Sequence, residues 1–209
     1  MTYSEAIRLQ KDVAKKVVST KDDFGVINRI CGVDIAYSGG SSNNSNAAYC
    51  SAVIMDKNTH KLVESVDVQT VVKYPYVPGL LMLREAEPIF CTLKLLKNTY
   101  ELLLIDGHGV LHPRKCGLAC YIGVTLNKPT VGIAKSRLCG KVRSDRFVEL
   151  HDEILGYAIS KKLYISVGHR LTLKTAIALV KEFGIEPLRL ADINSRKNKE
   201  KVQQIRAAD

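Results

Sequence analysis

Leu102-Leu103-Leu104-Ile105 is an unbroken apolar run that ends on Asp106 and opens into Gly107-His108-Gly109-Val110-Leu111-His112-Pro113-Arg114. A run without polar alternation reads as a strand buried on both faces, which obliges the chain to cover both sides of a sheet. An acid at the tip of such a strand is poor packing material unless something there needs negative charge. The two glycines clear space for close approach, and His108, His112 and Arg114 bring hydrogen-bonding groups to the same loop. The bland reading is an Asp-Gly turn with solvated histidines, so the rest of the chain has to decide.

Length, charge and cysteine usage narrow the possibilities. A chain of 209 residues fits one domain and can close a large core without staples. No apolar stretch is long enough to span a bilayer, and Met1-Thr2-Tyr3-Ser4-Glu5 does not resemble a secretory signal, so a cytoplasmic setting is expected. The cysteines at 31, 50, 91, 116, 120 and 139 have no C-x-x-C pairing and read as reduced core thiols. Cys116 and Cys120 are expected to share a helix face as packing groups. Thirty-one Lys and Arg against 21 Asp and Glu give a formal charge of +10, which favours a polyanionic partner reached through counterion release. A membrane surface is the weaker option without basic amphipathic helices or lipidation signals.

Along the chain, Leu9, Val13 and Val17 fall at helical spacing within residues 4–18. Strands are expected at Arg29–Tyr37, Ala47–Met55 and Lys61–Val72, forming an antiparallel meander, with a flexible polar loop at 38–46. A helix over Leu80–Leu96, a strand at Leu102–Ile105, a helix over Gly117–Thr125 and a strand at Thr130–Ala134 follow. Further strands around Val148–Leu155 and Lys162–Val167 and two closing helices, Thr172–Phe183 and Pro187 onward, complete the order. Ser195–Lys201 reads as too charged to be buried. Meander, helix, strand, helix, strand is the order of an α/β, ribonuclease H-like domain, a mixed sheet with helices on both faces, here over residues 1–209.

Asp34 stands in the middle of the apolar strand Ile30-Cys31-Gly32-Val33-Asp34-Ile35-Ala36-Tyr37. A carboxylate there is costly unless it is ion-paired or bound to metal. In the expected topology the strand ending at Asp106 lies beside the first strand, and Glu85 reaches both acids from the crossing helix. Alone, Glu85 reads as a solvated helix face. Converging carboxylates repel unless divalent cations neutralise them, and all-oxygen ligands favour Mg²⁺ or Mn²⁺. Such a cluster suits phosphodiester hydrolysis. Asp192 is either a fourth member or an N-cap or surface acid, and Lys135 either meets a phosphate or caps a strand edge.

Six segments together resemble endonuclease V, the deoxyinosine 3′ endonuclease family: Gly32-Val33-Asp34, Tyr74 to Leu81, Arg84-Glu85, Asp106 to Arg114, Gly132 to Ser136, and Ser166 to Arg170. The resemblance runs in order from about residue 29 to 192. It implies Mg²⁺-dependent cleavage, with Mn²⁺ able to substitute, of the second phosphodiester 3′ to inosine, leaving 3′-hydroxyl and 5′-phosphate ends. By the same resemblance Asp34, Glu85 and Asp106 are the metal-binding catalytic acids, Asp192 is a further active-site position that varies between Asp and His, and Lys135 is the lysine near the scissile phosphate. Pro75, Tyr76, Val77 and Pro78 match the strand-separating wedge, with Val77 where Ile is common. The base pocket would use Gly79, Leu81, Gly107, Gly109, His112, Gly117 and Leu118.

The wedge also follows from the residues: two prolines stiffen a loop presenting Tyr76, whose ring can occupy the gap left by an extruded base. Small glycine walls fit a flat purine and leave a guanine amino group unpartnered. His108 is expected to hold its loop, and His169 and Arg170 to give support or contact phosphate. The expected partner is deoxyinosine-containing DNA, bound by a monomer. Inosine-containing RNA is an alternative substrate, and a non-catalytic binder of altered bases is an alternative class.

Overall fold

The structure, a computed structural model, describes residues 1–38 and 47–208. The polar loop expected at 38–46 therefore lies outside the described residues except for Ser38. The chain opens with α1 (Tyr3–Ala14), capped by Thr2 and Glu5 in a reciprocal capping box. A meander of β1 (Arg29–Tyr37), β2 (Ala47–Asp56) and β3 (Leu62–Val71) follows. The β2–β3 turn forms because Asp56 accepts from the Asn58 and Thr59 amides at 3.0 and 2.8 Å.

Next come α2 (Leu81–Leu93), β4 (Leu102–Asp106), α3 (Leu118–Leu126) and β5 (Thr130–Ala134). The chain then forms β6 (Lys141–Val142), β7 (Phe147–Leu150), β8 (Glu153–Ser160) and β9 (Leu163–His169), and ends in α4 (Leu173–Phe183) and α5 (Glu186–Ala208). The nine strands of the described residues join one sheet in the order β3-β2-β1-β4-β5-β9-β8-β7-β6. Within it β1, β4 and β5 run parallel and the remaining pairs antiparallel.

Both faces are covered, as the apolar run of β4 requires. Leu103 and Ile105 pack with Met82, Ala86 and Ile89 of α2 and Ile122 of α3, while Leu102 and Leu104 share a cluster with α4 and α5. Gly32 permits close contact on the second face: a Cβ there would lie 2.2 Å from the Leu188 amide nitrogen of α5, so no side chain fits between strand and helix. This approach brings α5 onto β1 and fixes where its inward residues emerge.

Several expectations need correction. The strand expected at 148–155 is two antiparallel strands, because His151 and Asp152 adopt positive φ (51° and 61°) and turn the chain between β7 and β8. The first helix stops at Ala14 rather than 18, since Val18 gives its N–H to His169 Nδ1 (3.2 Å) and its carbonyl to the Arg170 N–H (2.7 Å). The second ends at Leu93 rather than Leu96. Ser195 is buried, its hydroxyl turned back onto the Asp192 carbonyl at 2.9 Å. Cys91 is exposed and Cys139 half-buried, so the core-thiol reading holds only for Cys31, Cys50, Cys116 and Cys120. Cys116 precedes α3 and shares no helix face with Cys120.

Candidate active site

The parallel pairing of β1 with β4 sets Val33 opposite Ile105, so the next residues, Asp34 and Asp106, stand side by side where the two strands end. Both alternate onto the face covered by α5, which adds Asp192 from its second turn. Lys135 follows the last residue of β5 and reaches across: its Nζ is 2.8 Å from Asp106 Oδ2 and 3.0 Å from Asp192 Oδ1. Arg196, one turn beyond Asp192, donates to the same Oδ1 at 3.0 Å. Three acids and two cations from four elements thus meet at one sheet edge.

Burial sets their protonation. Asp34 is buried, and that burial, with the charge of Asp106 and hydrogen bonds to Asp192 and Asp106, drives its pKa far up despite Lys135. Burial pushes Asp192 the same way, but hydrogen bonds from Asp34, Arg196 and Lys135 outweigh it and its pKa falls. The pair therefore shares a proton, carried by Asp34. Burial disfavours the Lys135 charge, yet the hydrogen bond and charge of Asp106 and the charge of Asp34 prevail and raise its pKa.

Glu85 arrives from α2, on the opposite face, and lines the same cavity. Its Oε1 accepts the Tyr37 hydroxyl at 2.7 Å, and the Arg84 guanidinium lies 4.1 Å from the centre of the Tyr37 ring. Burial raises the Glu85 pKa from 4.5 to about 7 against the Tyr37 hydrogen bond, with Asp106 adding repulsion. Asp34, Asp106 and Asp192 come together here; Glu85, expected with Asp34 and Asp106, lines the same cavity but is engaged by Tyr37. Among the described residues no three His, Cys, Asp or Glu side chains are close enough to hold a metal ion. The donors still suit a hard divalent cation: they are all carboxylate oxygens, and a lysine ammonium and a shared proton supply the positive charge they demand.

Above the acids opens a cavity of about 460 Å³. Of the residues assigned above to a base pocket, Gly79, Leu81, Gly107, His112, Gly117 and Leu118 line it. Gly109 does not: a Cβ there would meet the Val167 carbonyl oxygen at 1.9 Å, and its N–H donates to Ser166 Oγ at 2.8 Å, so it serves packing against β9. Tyr76 reaches the cavity with 63% of its surface exposed, a ring free to stack, whereas Pro75, Val77 and Pro78 do not line it: the two prolines are exposed and Val77 packs against the core. Burial and the Arg114 charge lower the His112 pKa to about 4. The neutral ring accepts from the Arg114 amide at Nδ1 (3.1 Å) and donates from Nε2 to the Gly79 carbonyl (3.1 Å).

His108 Nε2 lies 2.9 Å from the Ser136 carbonyl, tying its loop to the segment after β5, as expected. His169 and Arg170 are structural: Arg170 donates to the Asp23 and Asn127 carbonyls at 2.8 and 3.0 Å and pairs with the Asp23 carboxylate. The sequence reading missed Gln10, Tyr37, Arg196 and the cavity-lining residues Ser136, Arg137 and Leu138. Gln10 carried a signal, a polar residue on the stripe of α1 that buries Ala6 and Val13. Tyr37 continues the alternation of Val33 and Ile35 toward α2, where an aromatic reads as core.

A family model described as Endonuclease V matches residues 11–193. The chain is 37% identical to an endonuclease V of Thermofilum pendens, over 92% of this chain and 87% of that protein. It superposes with TM-score 0.84 on the crystal structure of endonuclease V from Streptomyces avermitilis, at 28% identity over 97% of this chain and 95% of that one. A Ciona intestinalis endonuclease V, in complex with a 24mer DNA containing an inosine followed by a ribo-adenosine, gives TM-score 0.83 at 27% identity, over 95% of this chain and 98% of that one. The fold is the ribonuclease H-like one expected from the order of elements.

Proposed function

The chain belongs to the endonuclease V family and acts as a DNA repair endonuclease, and we propose that it nicks the second phosphodiester bond 3′ to deoxyinosine by Mg²⁺-dependent hydrolysis, with Mn²⁺ able to substitute. The observation that carries this reading is the meeting of Asp34, Asp106, Asp192 and Lys135 on the floor of a cavity whose rim holds Tyr76 and small glycine walls. Asp34, Asp106 and Glu85 would hold the cation, with Asp192 beside them. When bound, the ion would activate water and stabilise the departing 3′-oxygen.

The protein's own groups do the rest. Tyr76 fills the gap in the base stack while the base enters the cavity, where backbone groups of the glycine walls read its edge. His112 is neutral near pH 7, so it holds the Gly79 carbonyl without presenting charge to the base. The Lys135 ammonium, now spread over two carboxylates, is placed to meet a phosphate entering between them. The surface charge of +10 attracts the flanking backbone. The protein acts as a monomer in the cytoplasm, its 209 residues forming one catalytic domain; no helix among the described residues is long and apolar enough to cross a membrane.

A duplex carrying one deoxyinosine, incubated with protein and Mg²⁺, should be nicked at a fixed offset, and chelation should stop the reaction. Asp106→Asn should abolish nicking while leaving most DNA affinity, and full activity in that variant removes the assignment. Binding without nicking in the unaltered protein would favour a non-catalytic binder of altered bases, a reading the retained acids speak against. A second substrate, inosine-bearing RNA, gains support from the Ciona protein, whose bound strand has a ribonucleotide after the inosine. Parallel single-turnover assays on matched deoxyinosine and inosine strands decide between the two.

A further inference from the structure

Gln10 is only 1% exposed, although it lies on the first helix, far in sequence from every other cavity residue. Its side-chain amide nitrogen donates to the Gly79 carbonyl at 3.1 Å and to the Cys116 carbonyl at 2.5 Å, and its oxygen accepts from Arg114 Nε at 2.5 Å. Both N–H groups and the carbonyl of one buried amide are thereby used. Gly79 closes the wedge segment and forms one wall of the cavity; Cys116 leads directly into Gly117 and Leu118 on another. One side chain therefore ties two cavity walls that belong to different loops.

We infer that Gln10 is a specificity-determining positioning residue: by bridging the Gly79 and Cys116 carbonyls it fixes the width of the base pocket and so its preference for hypoxanthine over guanine. The inference rests on the nuclease reading above and names a residue of that same pocket. A loop held only by its own turn can breathe, whereas a helix-mounted amide bonded to both walls spaces them as a rigid part. The helix is itself anchored, by its capping box and by the packing of Ala6 and Val13.

Arg114 Nη2 (2.6 Å) and His112 Nε2 (3.1 Å) also donate to the Gly79 carbonyl. That oxygen thus keeps partners when Gln10 is replaced, and His112 and Arg114 reach it from the chain just before Cys116, but among the described residues Gln10 is the one side chain that bonds directly to both the Gly79 and the Cys116 carbonyl. Hypoxanthine differs from guanine by one amino group. A pocket that separates them by leaving that group no room depends on wall spacing at the scale of about 1 Å.

The test measures binding, by fluorescence anisotropy in chelator, so that nicking plays no part. Wild-type, Gln10→Leu and Gln10→Glu proteins are titrated with duplexes holding deoxyinosine or deoxyguanosine at one position, and circular dichroism checks folding. Gln10→Leu keeps the volume; Gln10→Glu keeps the pairing with Arg114 but loses both donations. We expect both variants to lose about tenfold in the inosine-to-guanine affinity ratio, because a pocket of looser width holds hypoxanthine less well and admits the guanine amino group. If either folded variant keeps the wild-type ratio, Gln10 merely docks its helix and the inference is overturned, with the nuclease reading intact. A wild-type protein with no inosine preference overturns both together.

Discussion

Asp34 is the residue whose chemistry is most legible in the sequence, because a carboxylate among Val33 and Ile35 in a buried strand has few uses. In the structure it makes no ion pair of its own among the described residues; its neighbours Asp106 and Asp192 take the lysine, and Asp34 keeps a proton. Tyr37 was illegible for the opposite reason, since a tyrosine in an apolar alternation looks like core and its hydroxyl partner, Glu85, lies 48 residues on. That hydroxyl orients the carboxylate proposed above as a cation ligand, and hydrogen bonds that support a metal ligand are commonly worth about 10-fold or more in metal affinity. Tyr37→Phe keeps the ring beneath Arg84 and removes only the donor. Mn²⁺ affinity measured by isothermal titration calorimetry should fall about 10-fold, with the nicking rate recovering at high Mn²⁺. An unaltered affinity would show that the hydroxyl is idle.

Between elements, the decisive contact is β1 against α5, and Gly32 makes it possible. An alanine there would put its Cβ 2.2 Å from the Leu188 nitrogen and 2.3 Å from the Pro187 carbonyl carbon, both backbone atoms that cannot rotate away. Gly32→Ala should lower stability in urea unfolding by about 1–3 kcal/mol or more through overpacking. Because α5 carries Asp192, the shift should also weaken its contact with Lys135 and depress activity in protein that remains folded. A stability within error of wild type would mean that α5 adjusts without cost. The strands that frame the site were legible because their patterns are local: β1 and β5 fall on the expected residues, and β4 gains only Asp106. What was missed depends on distant partners. The first helix ends where Val18 finds His169, and the turn at His151 and Asp152 needs positive φ at two successive non-glycine residues, which is uncommon even for His and Asp.

At the scale of the whole molecule, a basic protein surrounds an acidic floor, and the folded state bears the cost of that floor when no cation is bound. Burial raises the pKa of Glu85 to about 7 and of Asp34 well above its ordinary value. A carboxyl with a raised folded pKa binds its proton more tightly folded than unfolded. Its stabilising contribution is complete below the unfolded pKa and drains away as pH rises through the folded one. The histidines act in the opposite sense, since burial lowers the pKa of His108, His112 and His169, and they favour the folded state as pH rises to 6.5. Above that point they are neutral in both states and the acids act alone, so the melting temperature of cation-free protein should fall between pH about 6.5 and about 8.5. Mg²⁺ needs the deprotonated ligands, so the stabilisation it gives should grow across the same interval. Asp34→Asn should flatten the fall and lose most of the Mg²⁺ effect. Buried thiols such as Cys31 also favour the folded state less as pH climbs, but no cation at the acids reverses their contribution, which makes the Mg²⁺ difference the measurement to trust. Differential scanning fluorimetry with and without Mg²⁺ resolves it, and a cation-free melting temperature that holds level or rises through the interval contradicts a proton shared on the acidic floor.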